Sequence, residues 1–122
     1  AEKVGLLLKR SRIGLWVFNP KNRRMSRALP LKVMEYLAAG LPVVTTKTPL
    51  MSALIEKNGL GACVSYQAKD IASGIKKILD MKEEDYQKLS RHCLELAEQR
   101  FNWEALEPEL LRAVSALVPA KN

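Results

Sequence analysis

Hydrophobic positions in this chain form two patterns, short runs of branched and aromatic residues and longer stretches in which apolar residues recur three and four apart. Short apolar runs bounded by turn residues predict buried strands, and the three- and four-residue spacing predicts amphipathic helices. Val4, Leu7 and Leu8 lie at helical spacing and predict a helix end over 2–11. The run RIGLWVF predicts a strand over 12–18, closed by Asn19-Pro20. A polar, basic loop follows to position 29. Pro30 suits the first turn of a helix, where its missing N–H costs nothing. That helix is expected over 30–39, with Gly40 just past its end and Pro42 beyond.

PVVTT predicts a second strand over 42–46, and Ala62 to Tyr66 (ACVSY) a third. A short helix over 49–57 and a turn at Asn58-Gly59-Leu60-Gly61 separate them. From there the period is helical. Asp70 is read as the cap of a helix reaching 79, and two more helices are expected over 83–100 and 103–117. Strands joined by segments that each contain a helix require parallel crossovers. The predicted fold class is α/β, a partial doubly wound, Rossmann-like parallel sheet of three strands with flanking helices and a helical C-terminus. Three strands leave two sheet edges to be covered, and the first strand is apolar throughout. The chain also opens at Ala1 rather than at a methionine, so a further N-terminal part is expected.

Charge sharpens this picture. The net charge is +7, yet residues 1–34 hold nine Lys/Arg against one Glu, so the excess lies in the first quarter. Such a field attracts phosphates on a nucleotide, a lipid head group or a nucleic acid. Against nucleic acid, the basic loop has no interleaved aromatics. No apolar run approaches the roughly 20 residues of a membrane span. Cys63 and Cys93 lack metal-ligand spacing and fit a reducing cytoplasm. No metal and no cofactor are expected.

In an open parallel sheet, ligands bind outside the carboxyl ends of the strands. The basic loop there feeds a helix N-terminus at Ala28, Leu29, Pro30 and Leu31, where free N–H groups and the helix dipole favour an anion. Arg23, Arg24 and Arg27 would add charge-assisted bonds, and a solvated loop is the alternative. Glu35 is the single charge within MEYLAAGLPVV, a segment with the composition of a core. A carboxylate buried there needs partners. Lys32, one turn earlier, offers an ion pair, and neighbouring hydroxyls of a ligand such as a ribose offer the other solution. His92 reads as a surface or packing residue, the Phe101/Trp103 pair as the anchor of the last helix, and the acidic residues at 80–85 as a solvated helix start.

The segment PLKVMEYLAAGLPVVTT resembles the signature of retaining GT-B glycosyltransferases, family 4 and its relatives. IGLWVF, NGLGACVS, KDIASGIKKIL and RFNWEALEPELLRAVSAL are similar to the flanking pieces in the family's order, so the resemblance covers nearly the whole chain. It implies that residues 1–122 are the C-terminal donor-binding part of a larger enzyme that moves a sugar from a nucleotide-sugar donor to an acceptor glycan or lipid-linked sugar. On this resemblance Glu35 binds the ribose, the backbone of Ala28 to Leu31 faces the donor's phosphates or sugar, and Lys32 contacts a phosphate. Arg27 stands where many members carry a second glutamate, as in a subgroup of the Pro-x-Lys-x-x-Glu-Tyr form. The implied location is cytoplasmic, with a peripheral contact at the inner face of the membrane left open. The rival class is a non-catalytic α/β module that binds an anionic partner, RNA or an acidic membrane surface. Self-association is expected through the apolar strand edge at 12–18.

Overall fold

A computed structural model of the chain describes residues 11–27 and 30–99. The helices expected over 2–11 and 103–117 and the Phe101/Trp103 pair lie outside the described residues, as do Ala28, Leu29 and the side chain of Arg27. The elements run β1 (Gly14–Trp16), α1 (Arg23–Arg27), α2 (Leu31–Ala38), β2 (Val43–Thr46), α3 (Pro49–Met51) continuing into a π-helical turn (Ser52–Glu56), β3 (Gly61–Val64), α4 (Ala68–Leu79) and α5 (Glu83–Gln99). The sheet has the order β1-β2-β3, and both pairings are parallel. The α/β class and the three-stranded parallel sheet are therefore as expected.

Both crossovers step in the same direction across the sheet. Right-handed connections then put both intervening segments on one face. Accordingly α2 (Val33, Met34, Leu37) and the π turn (Leu54, Ile55) share one core with Phe18, Val43, Leu60 and Cys93. After β3 the chain turns to the other face, where α4 brings Ile75 and Ile78 against Val44 and Val64. Successive residues of β2 feed these two cores alternately, as strand geometry requires. All four residues of β2 are buried.

Several local boundaries differ from expectation. β1 is shorter than 12–18 because Arg12 leaves the strand to pair with Glu83 at 2.9 Å and to lie over the Tyr86 ring. At its other end the Phe18 N–H turns to the Thr46 hydroxyl at 2.9 Å. Pro30 is the N-cap of α2 rather than its first helical residue. Gly40 follows α2 with φ of +77°, the left-handed conformation expected at that place. α4 starts at Ala68, so Asp70 lies in its first turn and accepts from the Ser65 hydroxyl. The basic loop contains a helix, α1, held by Asn22, whose side chain accepts from the Met25 N–H at 3.2 Å.

The N-terminal edge of the sheet is closed by α5. The Tyr86 hydroxyl donates to the Arg12 carbonyl (2.8 Å) ahead of β1. The Ser90 hydroxyl donates to the Gly40 carbonyl (2.7 Å) ahead of β2. His92 Nε2 lies 2.7 Å from the Asn58 carbonyl, and the Cys93 thiol 3.8 Å from that of Leu60, both ahead of β3. His92 is exposed there, and its hydrogen bond ties α5 to the turn ahead of β3.

Gly61 sets the approach of β3 to β2. A Cβ built there would run into the carbonyl of Val43, and its φ of +154° disfavours a side chain independently. Gly61→Ala is therefore expected to cost about 3 kcal/mol or more, since overpacking and backbone strain add. Denaturant unfolding, with the midpoint compared at equal slope, measures it.

Candidate functional site

The carboxyl ends of β1, β2 and β3 open onto the segments at 17–22, 47–48 and 65–67 and onto the N-termini of α2, α3 and α4. Of the predicted binding residues, Arg23 and Arg24 lie exposed on α1, Pro30 is buried as the α2 cap, and Leu31 is 59% exposed. α2 has no side-chain cap and no acidic residue in its first turn, so its positive pole is not offset locally.

Lys32 and Glu35 stand together on the outer face of α2. Their charged atoms are 3.7 Å apart, and both side chains are 55% exposed. The expectation that Glu35 sits in a core is corrected here. Val33, Met34 and Leu37 form the buried stripe of α2, and position 35 falls on its opposite side. An exposed pair of this kind contributes less than about 1 kcal/mol to stability. The ion pair therefore forms without demanding a buried partner, and the carboxylate remains accessible. Tyr36, next to it, packs its ring where a Cβ on Gly14 would lie, and its hydroxyl donates to the Leu15 carbonyl at 3.4 Å. Glycine at 14 and tyrosine at 36 thus fix α2 against β1.

Two buried polar atoms at this edge were not singled out from the sequence. Trp16 Nε1 and Thr45 Oγ1 have no hydrogen-bond partner among the described residues. Trp16 pairs with Thr45 and Thr45 with Cys63, so the three form one row across the sheet and face the same side. An unmet buried donor costs about 1–3 kcal/mol, so this row is polar and under-satisfied. A threonine within an apolar run and the single N–H of an indole were the sequence signals for it. Thr46, one residue on, faces the other side and spends its hydroxyl on Phe18. Thr48 caps α3 by accepting from the Met51 N–H at 3.1 Å.

Beside this row, Lys47 lies 3.8 Å from Glu56. Burial, and then the Glu56 carboxylate, push the Cys63 thiol up to about 12. Burial alone raises Cys93 to about 12. Burial thus favours the neutral thiol at both positions at neutral pH.

The class defined by the fold is an α/β unit in which helix N-termini and basic side chains gather at the carboxyl ends of a parallel sheet. Comparison with known proteins narrows this class. The family model "Glucosyltransferase 3-like, C-terminal domain" matches residues 14–101, and the chain belongs to that family. Glucosyltransferase 3 of Streptococcus parasanguinis is 31% identical over 90 residues, which cover 71% of this chain and 26% of that protein. The chain thus spans about a quarter of the length of this curated relative. No solved structure matches the chain significantly. The chain is a glycosyltransferase-related domain, and no helix among the described residues is long and apolar enough to cross a membrane.

The two raised thiols give a pH-dependent expectation. In the unfolded chain a cysteine titrates near about 8.5, well below the folded value. The neutral thiol is thus favoured in the fold, and its stabilising contribution is complete below the unfolded value. It is lost as pH rises through the window from about 8.5 to about 12. Unfolding free energy should fall across that window, and native-state alkylation by iodoacetamide at about pH 8 should be slow at both cysteines. Rapid modification of Cys63 without unfolding would contradict the assignment.

Proposed function

We propose that this chain supplies part of the donor site of a glycosyltransferase that moves a sugar from a nucleotide-sugar donor to an acceptor glycan or lipid-linked sugar. Family membership supports the reaction class. The observation that carries the donor assignment is the exposed Lys32–Glu35 pair on α2, beside that helix's uncapped N-terminus and the basic helix α1. In this reading the Glu35 carboxylate accepts hydrogen bonds from the ribose hydroxyls. Lys32 and the backbone of positions 28–31 bind phosphate oxygens, with Arg27 as a further cation. The chemical task is electrostatic, holding the developing charge of the leaving diphosphate with cations and N–H groups.

The finer assignment is GT-B family 4-like, in the Pro-x-Lys-x-x-Glu-Tyr form, with retention of configuration. It rests on the similarity of PLKVMEYLAAG to that signature. The acceptor site and the remaining donor contacts then belong to parts of the protein outside these 122 residues. The enzyme works in the cytoplasm, and the basic first quarter gives it a means of contacting the inner face of the membrane.

A thermal-shift screen of the full-length protein against UDP-, GDP- and ADP-sugars tests the donor class, and a stabilised melt with one of them is the expected result. Glu35→Gln in that protein should weaken nucleotide binding by about 1–3 kcal/mol while leaving the fold's stability nearly unchanged. Titration calorimetry together with thermal melting separates the two effects. A loss of stability with unchanged affinity would assign Glu35 to the Lys32 ion pair alone. The 122-residue chain by itself should show no sugar transfer in a radiolabelled-donor assay.

A further inference from the structure

We infer that the free edge of β3 is a twofold interface, on which a second copy of this chain docks to continue the sheet. Beside α4 this edge forms a groove of about 390 Å³, lined by Ala62 to Ser65 on one side and by Asp70, Ser73, Gly74 and Lys77 on the other. Among the described residues, no strand pairs with the backbone that floors the groove. The Leu60 and Val64 carbonyls accept from Val43 and Lys47 on the β2 side. Backbone groups alternate in direction along a strand, so the N–H and C=O of Cys63 point outward. Nothing in the strand's sequence, GACVS, protects this edge, which carries neither a charge nor a proline.

The walls of the groove choose the occupant. Asp70 and Lys77 are seven residues apart, with Ser73 and Gly74 midway between them. Gly74 lies over the boundary between β2 and β3, because a Cβ there would meet Val64 first, then Val44, with Ala62 further off, which places it level with Cys63 along the strand. An antiparallel partner strand centred on Cys63 therefore shares its twofold axis with α4. About that axis Asp70 of each copy faces Lys77 of the other, and the small residues Ser73 and Gly74 meet at the crossing. Lys77 is exposed, and no acidic side chain among the described residues holds it in an ion pair.

The layer spacing agrees. α4 packs on both β2 and β3, with Gly74 against Val44 as well as Val64. Two α4 helices flanking a new β3–β3 pair would lie two strand spacings apart, about 10 Å, which is a normal helix-packing distance. The Cys63 residues would exchange both backbone hydrogen bonds across the axis, as in a narrow antiparallel pair.

Sedimentation velocity on the purified chain, from low to high micromolar, tests this. The expected result is a monomer–dimer equilibrium in which Asp70→Lys and Lys77→Asp each weaken the dimer by at least about tenfold, because each places like charges opposite one another. The double reversal should return within about threefold of the parent, since it restores opposite charges. The Cys63 amide should exchange more slowly as concentration rises, and monomer melting should be alike in all variants. A monomer at every concentration overturns the proposal. So does a dimer that responds to Leu15→Lys on the β1 edge but not to the two single reversals, or a double reversal that fails to recover.

Discussion

Strand β2 is buried on both faces and hydrogen-bonded on both sides, and the rest of the architecture follows from that. A strand so enclosed must be apolar or internally satisfied along its whole length, which accounts for the sequence PVVTT. Val43 draws α2 and the π turn onto one face, and Val44 draws α4 onto the other. Gly61 lets β3 come close enough to pair, and Gly74 lets α4 come close enough to cover Val44. The two glycines thus serve one central strand from different directions.

The N-terminal edge of the sheet is closed by a match of two spacings. One turn of helix rises about 5.4 Å, close to the roughly 4.8 Å between strands. A helix laid across strand starts can therefore offer one side chain per strand from a single face. Tyr86, Ser90 and Cys93 stand on successive turns of α5 and reach the carbonyls ahead of β1, β2 and β3 respectively. His92 adds a second contact ahead of β3. Carbonyls that precede strands in tight turns would otherwise be difficult to satisfy near a core.

Much of this was readable from residue pattern, and the failures have physical causes. The three strands and the αβ turn at Gly40 were legible because β-branched runs and a glycine at φ of +77° have few other uses. Helix α1 was not, since RRMSR has no apolar periodicity and depends on Asn22 and Pro20 for its hydrogen bonds. The π turn over Ser52–Glu56 adds a residue to a helical turn without a mark in composition. Glu35 was misplaced because its neighbours are apolar, whereas burial in a helix depends on angular position. With Val33, Met34 and Leu37 inward, position 35 faces out. The tie between Arg12 and α5 joins residues 71 apart in sequence, and no local pattern could announce it.

The two ends of the sheet are consequently unlike. At the amino ends, α5 supplies a partner to the carbonyl before each strand. At the carboxyl ends, Trp16 Nε1 and Thr45 Oγ1 have none among the described residues, and the first turn of α2 lacks both a side-chain cap and an acid. Cations collect at the same end, with Arg23, Arg24 and Lys32 exposed around it. A fold optimised for stability alone would cap that helix and pair those donors, each worth about 1 kcal/mol or more. Leaving a helix N-terminus without a side-chain cap or an acid in its first turn is a cost that an anionic ligand can repay, because its charge meets preformed N–H groups and requires little reorganisation. The exposed Glu35 beside them is then intelligible. In the proposed donor site a carboxylate there would be repelled by phosphate but accept hydroxyls, and so would tell the sugar side of a nucleotide from its phosphates. On that proposal, the division of labour along one short helix would orient a donor as well as hold one.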